Sequence, residues 1–150
     1  MKQTSSGGRP AEILLVEDNE DDVYLTRRAF KSTSFPVNLH HVDNGAKCLS
    51  FLRREGEYAG VPAPDLILLD INMPVMDGRE VLAAINADPA LRQLVIVVLT
   101  TSAEQSDITT MYQMRCNSYI AKPVDFEQFV QAVQQMADYW LSLVILPTGR

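Results

Sequence analysis

Apolar residues recur along this chain in two rhythms. Ile13-Leu14-Leu15-Val16, Leu66-Ile67-Leu68-Leu69 and Leu94 to Leu99 are unbroken aliphatic runs, the composition of strands buried on both faces. Val37 to Val42 alternates more loosely through Asn38, Leu39, His40 and His41, as an edge strand does, and Ser118 to Ala121 makes a short fifth strand. Between these runs the apolar positions step by three and four, the period of a helix with one buried face. Val23, Leu25, Ala29 and Phe30 mark a first helix; Leu49, Phe51 and Leu52 mark a second, from about Ala46 to Arg54; Val81, Leu82 and Ile85 mark a third. A fourth, capped by Ser102 or a neighbour, extends to about Arg115. The fifth runs from Asp125 to Leu143, with Phe126, Phe129, Val130, Val133, Met136, Ala137, Trp140 and Leu141 on its stripe. Strands and helices alternating in this way predict one doubly wound, mostly parallel α/β sheet.

The punctuation agrees with that plan. Asn19 and the acids Glu20, Asp21 and Asp22 suit the start of the first helix, where the dipole favours negative charge; its end is expected near Ser34, before Phe35-Pro36. Gly78 opens the third helix and Asp88-Pro89 closes it, while Gly56 to Pro64 is a loop longer than most connections of its kind. Residues 1–10 and 147–150 read as tails and 11–146 as one domain, since 150 residues are too few for two ordinary domains. With no signal peptide and no apolar run of spanning length, a cytoplasmic protein without a membrane partner is expected. Thirteen Lys and Arg against nineteen Asp and Glu leave a net charge of −6, which argues against nucleic acid as a partner. Cys48 and Cys116 lack companions at metal-site spacing and read as small buried hydrophobes. His40 and His41, adjacent on a strand, point to opposite faces and cannot share an ion.

The chemistry lies where the strands stop. Leu66 to Leu69 runs into Asp70 and then Asn72-Met73-Pro74, which cannot continue a strand; alone, such an acid is more often a cap or a solvated turn than a reactive group. The first strand, however, ends in Glu17-Asp18, the fourth in Thr100-Thr101-Ser102 and the fifth in Lys122-Pro123. In a parallel sheet these ends share one edge, the edge at which such folds bind ligands. Three carboxylates brought together repel, and some stay protonated unless a hard divalent cation such as Mg2+ is present. Lys122 adds a positive charge and Thr100 a hydroxyl donor, more than a plain metal site needs and suited to a phosphoryl group.

Leu15-Val16-Glu17-Asp18-Asn19, Leu69-Asp70-Ile71-Asn72-Met73-Pro74 with Met76-Asp77-Gly78, Val98-Leu99-Thr100-Thr101-Ser102 and Tyr119-Ile120-Ala121-Lys122-Pro123 together resemble the receiver domain of two-component response regulators, from about Glu12 to Leu141. The extended Gly56 to Pro64 loop and the Trp140 to Leu146 ending are similar to those of the single-domain regulators that partner cyanobacterial phytochromes. The resemblance implies a flavodoxin-like (βα)5 fold with a five-stranded parallel sheet in the order 2-1-3-4-5. It implies that Asp70 is the phosphoacceptor, attacking the phosphohistidine of a sensor histidine kinase, in the narrower resemblance one of phytochrome type. Asp18, Asp70 and the Asn72 carbonyl would ligate Mg2+, with Glu17 acting through water. Lys122 would pair with one phosphoryl oxygen and Thr100 with another, and inward rotation of Tyr119 would report the movement of Thr100. The Lys122-Pro123 bond is expected to be cis. Such a chain is a signalling protein that catalyses only its own phosphorylation and slow autodephosphorylation. Lacking an output domain, it would act through a changed binding surface or onward phosphotransfer.

Departures from the family pattern refine these expectations. Glu17 replaces the more usual Asp, and neither Asn72 nor Ser102, which flank the phosphoryl position, can serve as a general base, so the phosphorylated form is expected to persist. Asn72 also stands where aspartyl phosphatases of the Asp-x-Asp type carry their general acid, and acids replace the Gly-rich loop that a nucleotide or flavin binder needs after its first strand. The intact acid, hydroxyl and lysine set argues against a degenerate adaptor. Finally, Trp140-Leu141-Ser142-Leu143-Val144-Ile145-Leu146 holds more apolar groups than one helix face can bury. They either fold back or meet another chain, and a symmetric homodimer through the fourth-helix, fifth-strand and fifth-helix face is predicted.

Overall fold

Side-chain alternation along the aliphatic strands divides the interior into two layers. In β1 (Ala11–Val16), Leu14 and Val16 enter one layer and Ile13 and Leu15 the other. β3 (Leu66–Leu69) and β4 (Ile96–Thr100) divide in the same way, Ile67, Leu69, Ile96 and Val98 opposing Leu66, Leu68, Val97 and Leu99. Each such burial contributes about 2 kcal/mol. The structure, a computed structural model, describes residues 9–33, 36–143 and 145–147. The predicted helix end at Ser34-Phe35 and most of both predicted tails lie outside the described residues.

The first layer is covered by α2 (Gly45–Arg53), α3 (Gly78–Ala87) and α4 (Gln105–Gln113), through Leu49, Phe51, Val81, Leu82, Ile85 and Met111. The second is covered by α1 (Glu20–Lys31) and α5 (Phe126–Ala137), through Leu25, Ala29, Phe30, Phe129, Val133 and Met136. With β2 (Val37–Val42) and β5 (Ser118–Ala121) at the edges, the sheet is entirely parallel, in the order β2-β1-β3-β4-β5. The fold is the flavodoxin-like one that the resemblance implied. As expected, β2 is only partly buried, and Cys48 and Cys116 are free and buried.

Four helices begin on a side chain that accepts an amide hydrogen: Asn19 for α1, Asn44 for α2, Asp77 for α3 and Asp125 for α5, each worth about 1 kcal/mol. The fourth helix departs from expectation. Ser102 donates its hydroxyl to Asp107 at 2.6 Å, and α4 starts only at Gln105, after Glu104, which makes no side-chain cap. β4 starts at Ile96, two residues later than the aliphatic run, because Leu94 closes a turn by donating to the Leu91 carbonyl at 3.0 Å. No cis peptide bond occurs among the described residues, so Lys122-Pro123 is trans, the isomer an X–Pro bond intrinsically favours by about 0.5–1 kcal/mol.

The chain after Ala137 widens into a π-helical turn, Asp138–Leu143, in place of regular helix. Leu141 and Leu146 fold back into the second layer, while Ile145 stays 85% exposed. The long loop after α2 holds a 3₁₀ turn, Gly56–Tyr58, and the Tyr58 ring rests 5.5 Å from Phe51, itself 5.4 Å from His40.

Candidate functional site

Six polar or charged residues are buried among those described, and four of them, Glu17, Asp70, Thr100 and Lys122, sit at or just past strand ends on one edge. Burying ionisable groups is costly unless they are compensated, so this concentration marks a built site. The register assembles it. Val16 pairs with Leu69, and the Asp70 amide continues the ladder onto the Val16 carbonyl at 3.1 Å, which brings Glu17 and Asp70 out side by side. On the far side Thr100 pairs with Ala121, and its carbonyl accepts from the Lys122 amide at 2.6 Å.

Carboxylate oxygens of Glu17, Asp18 and Asp70 lie within 4.8 Å of one another. Lys122 Nζ reaches across from β5 to Glu17 Oε1 at 2.6 Å and Asp22 Oδ2 at 2.7 Å, with Asp70 Oδ2 at 3.8 Å. Glu17 Oε2 accepts from the Asn19 amide at 3.1 Å, and His41 Nε2 donates to the Glu17 carbonyl at 2.7 Å. Burial, followed by the charge of Asp70, pushes the Glu17 carboxyl up to about 7, against the pull of its hydrogen bond to Lys122. For Lys122, burial works downward, but the bond to Asp22 and the charges of Asp70 and Glu17 outweigh it and hold the ammonium charged. One cation among four acids leaves negative charge uncompensated. Hard oxygen donors in that state fit a divalent cation such as Mg2+.

The turn beyond Asp70 is held by close backbone approach. A Cβ on Gly78 would lie 2.6 Å from the Asp70 carbonyl oxygen and 2.7 Å from Ile71 Cα, so only glycine lets α3 start directly behind the acid. A Cβ on Gly45 would collide with the Met76 carbonyl and Val81. Between them Val75 has φ 70°, and the Met76 amide closes back on the Pro74 carbonyl at 2.7 Å. That is a γ-turn, a rare and strained shape for an exposed β-branched residue. Asn72 is exposed on the bend two residues past Asp70.

On the other flank the Thr100 hydroxyl is buried and, among the described residues, has no hydrogen-bond partner. Its neighbours are bonded elsewhere. Besides Ser102, Asp107 holds Arg79 of α3; Tyr119 donates its hydroxyl to the Ser102 carbonyl at 2.9 Å, and its amide donates to the Tyr112 hydroxyl at 3.1 Å. The structure thus groups Glu17, Asp18, Asp70 and Lys122 closely and, among the described residues, gives the Thr100 and Tyr119 hydroxyls no bond to that group. Sequence reasoning missed Asp22, His41, Asp107 and Arg79. Only Asp22 carried a signal, an acid left over in the first turn of α1 once Asn19 serves as the cap.

The response regulator receiver domain family matches residues 13–134. The chain is 39% identical to response regulator Rcp1 of Synechocystis sp. over 140 residues, covering 93% of this chain and 95% of the relative. It superposes with a TM-score of 0.89 on the phosphorylated cyanobacterial phytochrome response regulator RcpA, at 42% identity over 93% of this chain and 99% of that one. The Mn2+-bound form of Rcp1 gives a TM-score of 0.87 at 39% identity, over 92% and 99% of the two chains.

Proposed function

Because the chain belongs to the response regulator receiver domain family, we propose that it accepts a phosphoryl group on Asp70 from a sensor histidine kinase in a Mg2+-dependent reaction. The observation that carries this reading is the meeting of the Glu17, Asp18 and Asp70 oxygens within 4.8 Å, with Lys122 Nζ 3.8 Å from Asp70. In the transfer an Asp70 oxygen forms a bond to phosphorus as the bond from phosphorus to the histidine nitrogen breaks, and the released imidazole keeps its electron pair. A bound Mg2+ would lower the repulsion between carboxylate and phosphoryl oxygens. Glu17, Asp18, Asp70 and the Asn72 carbonyl are the groups to hold it, with Glu17 acting through water. Lys122 receives one phosphoryl oxygen and the Thr100 hydroxyl another, and Tyr119 then follows Thr100 inward.

Incubation with acetyl phosphate and Mg2+ should add one phosphoryl mass increment, absent without Mg2+ and absent in Asp70→Asn. A modified Asp70→Asn protein would overturn the assignment. The phytochrome regulators among the similar proteins support a kinase of phytochrome type, tested by phosphotransfer profiling. Ser102 is engaged by Asp107 and Asn72 carries no base, which supports a long-lived phosphorylated form; a lifetime of seconds would refute it. Exposed Tyr112, Tyr139 and Ile145 support a homodimer through α4, β5, α5 and the chain that follows, and sedimentation of a monomer with and without beryllofluoride would refute that. Among the described residues no helix is long and apolar enough to cross a membrane, and the reading places the protein in the cytoplasm, with the signal passing to a partner or onward by phosphotransfer.

A further inference from the structure

We propose that Asp22 is a positioning residue for Lys122, fixing the direction of the ammonium proton that serves Asp70. The inference rests on the phosphoacceptor reading of Asp70. An ammonium carries three N–H donors on a flexible stem, so nearness to a target does not decide where its protons point. Lys122 gives one to Glu17 at 2.6 Å and one to Asp22 at 2.7 Å, while Asp70 Oδ2, at 3.8 Å, lies beyond hydrogen-bond reach. With two donors engaged, tetrahedral geometry leaves one direction for the third, and an oxygen carried outward on Asp70 would close the remaining gap. The Lys122 side chain is only 4% exposed, so protein groups rather than water set this orientation.

Glu17 cannot hold the ammonium alone, because it also belongs to the acid group suited to a cation, and Asp22 stands outside that group. Asp22 is itself anchored through its backbone. Its amide donates to Asn19 at 3.1 Å and its carbonyl accepts the Thr26 hydroxyl at 2.7 Å, so removing its carboxylate leaves the start of α1 intact.

The test compares wild type, Asp22→Ala and Asp22→Asn with acetyl phosphate at saturating Mg2+. Asp22→Ala should lower the maximal rate of phosphoryl incorporation about tenfold, short of the roughly 100-fold that a 1 Å misplacement can cost, with the half-saturating donor concentration nearly unchanged. Asp22→Asn, which keeps an accepting oxygen, should recover most of that rate. In metal-free protein the Lys122 ammonium resonance, protected in wild type, should broaden away in Asp22→Ala. An unchanged rate in Asp22→Ala overturns the proposal, and so does a fall in Mg2+ affinity as large as that of Asp18→Ala. If wild type takes up no phosphoryl group, the fault lies with the reading of Asp70; a Lys122 resonance that stays protected in Asp22→Ala would then overturn the positioning role by itself.

Discussion

The two flanks of Asp70 are built on opposite terms. Toward β1 and α1, Lys122 is drawn by three carboxylates, two of them within 2.7 Å, so its ammonium is already engaged. Toward β4, the Thr100 hydroxyl is buried without a partner, while the groups around it are tied to each other through Ser102, Asp107, Arg79 and Tyr119. A buried hydroxyl left unpaired costs about 1–3 kcal/mol, which is recovered when an acceptor arrives. Lys122 on the charged flank is therefore engaged before any phosphoryl group comes, and the hydroxyl flank would be completed by that group. On the proposed reading the first sets reactivity and the second reports occupancy.

The largest effect should come from breaking the charged flank at its centre. Lys122→Met leaves Glu17 and Asp70 buried with no cation, and removing one partner of a buried ionic group costs about 3 kcal/mol in metal-free buffer, measured by urea unfolding, with part restored by Mg2+. A loss below about 1 kcal/mol would mean that the acids simply take up protons. Next comes the pH dependence of Glu17. Its carboxyl titrates at 4.5 ordinarily and at about 7 in the folded chain, so the folded state binds the proton more tightly. The stability it contributes is full below 4.5, falls as the pH rises and is gone above about 7. That slope amounts to on the order of 2 kcal/mol, and Glu17→Gln should flatten it in metal-free urea titrations near pH 5 and pH 8.

These flanks differed in how far the sequence revealed them. An unbroken run such as Leu66 to Leu69 admits one reading, a strand covered on both sides, and once four strands are parallel their end groups must share an edge. That logic reached Glu17, Asp18, Asp70, Thr100 and Lys122 together. It did not reach Asp22, because an acid in a first helical turn already has a sufficient local reason, and its contact with Lys122 spans 100 positions. Ser102 misled for a similar reason: it is a good cap by type, but its oxygen accepts the Glu104 amide, ahead of a helix that starts only at Gln105. The Trp140 to Leu146 stretch was half legible, since helical periodicity accounts for Leu141, while the π-helical widening that precedes the return of Leu146 has no signature in residue type.

Smaller effects separate the reporting flank from the reactive one. Thr100→Val replaces an unpaired buried hydroxyl with a methyl and should leave stability unchanged or raise it by up to about 1 kcal/mol in urea unfolding. On the proposed reading, phosphorylation of Asp70 should continue in this variant, while the shift of the Tyr119 ring resonances on adding beryllofluoride should disappear. A clear loss of stability would show that the hydroxyl finds a partner in solution and that the flanks are more alike than the geometry implies.

The smallest thermodynamic effect belongs to Arg79→Gln. Its ion pair with Asp107 is partly exposed and screened by solvent, so the unfolding free energy should barely change in urea unfolding. Asp107 should nevertheless stay ionised well into acid, because the Ser102 hydroxyl is the first cause of its lowered carboxyl and Arg79 only the second. What Arg79 adds is a tether from α3 to the start of α4, across the segment that holds Ser102 against Tyr119. Without it, exchange of the Tyr119 ring between positions should quicken in relaxation-dispersion measurements even though stability barely moves. If that exchange is unaltered, Ser102 alone restrains Tyr119, and the hydroxyl flank is gated within the β4–α4 connection rather than from α3.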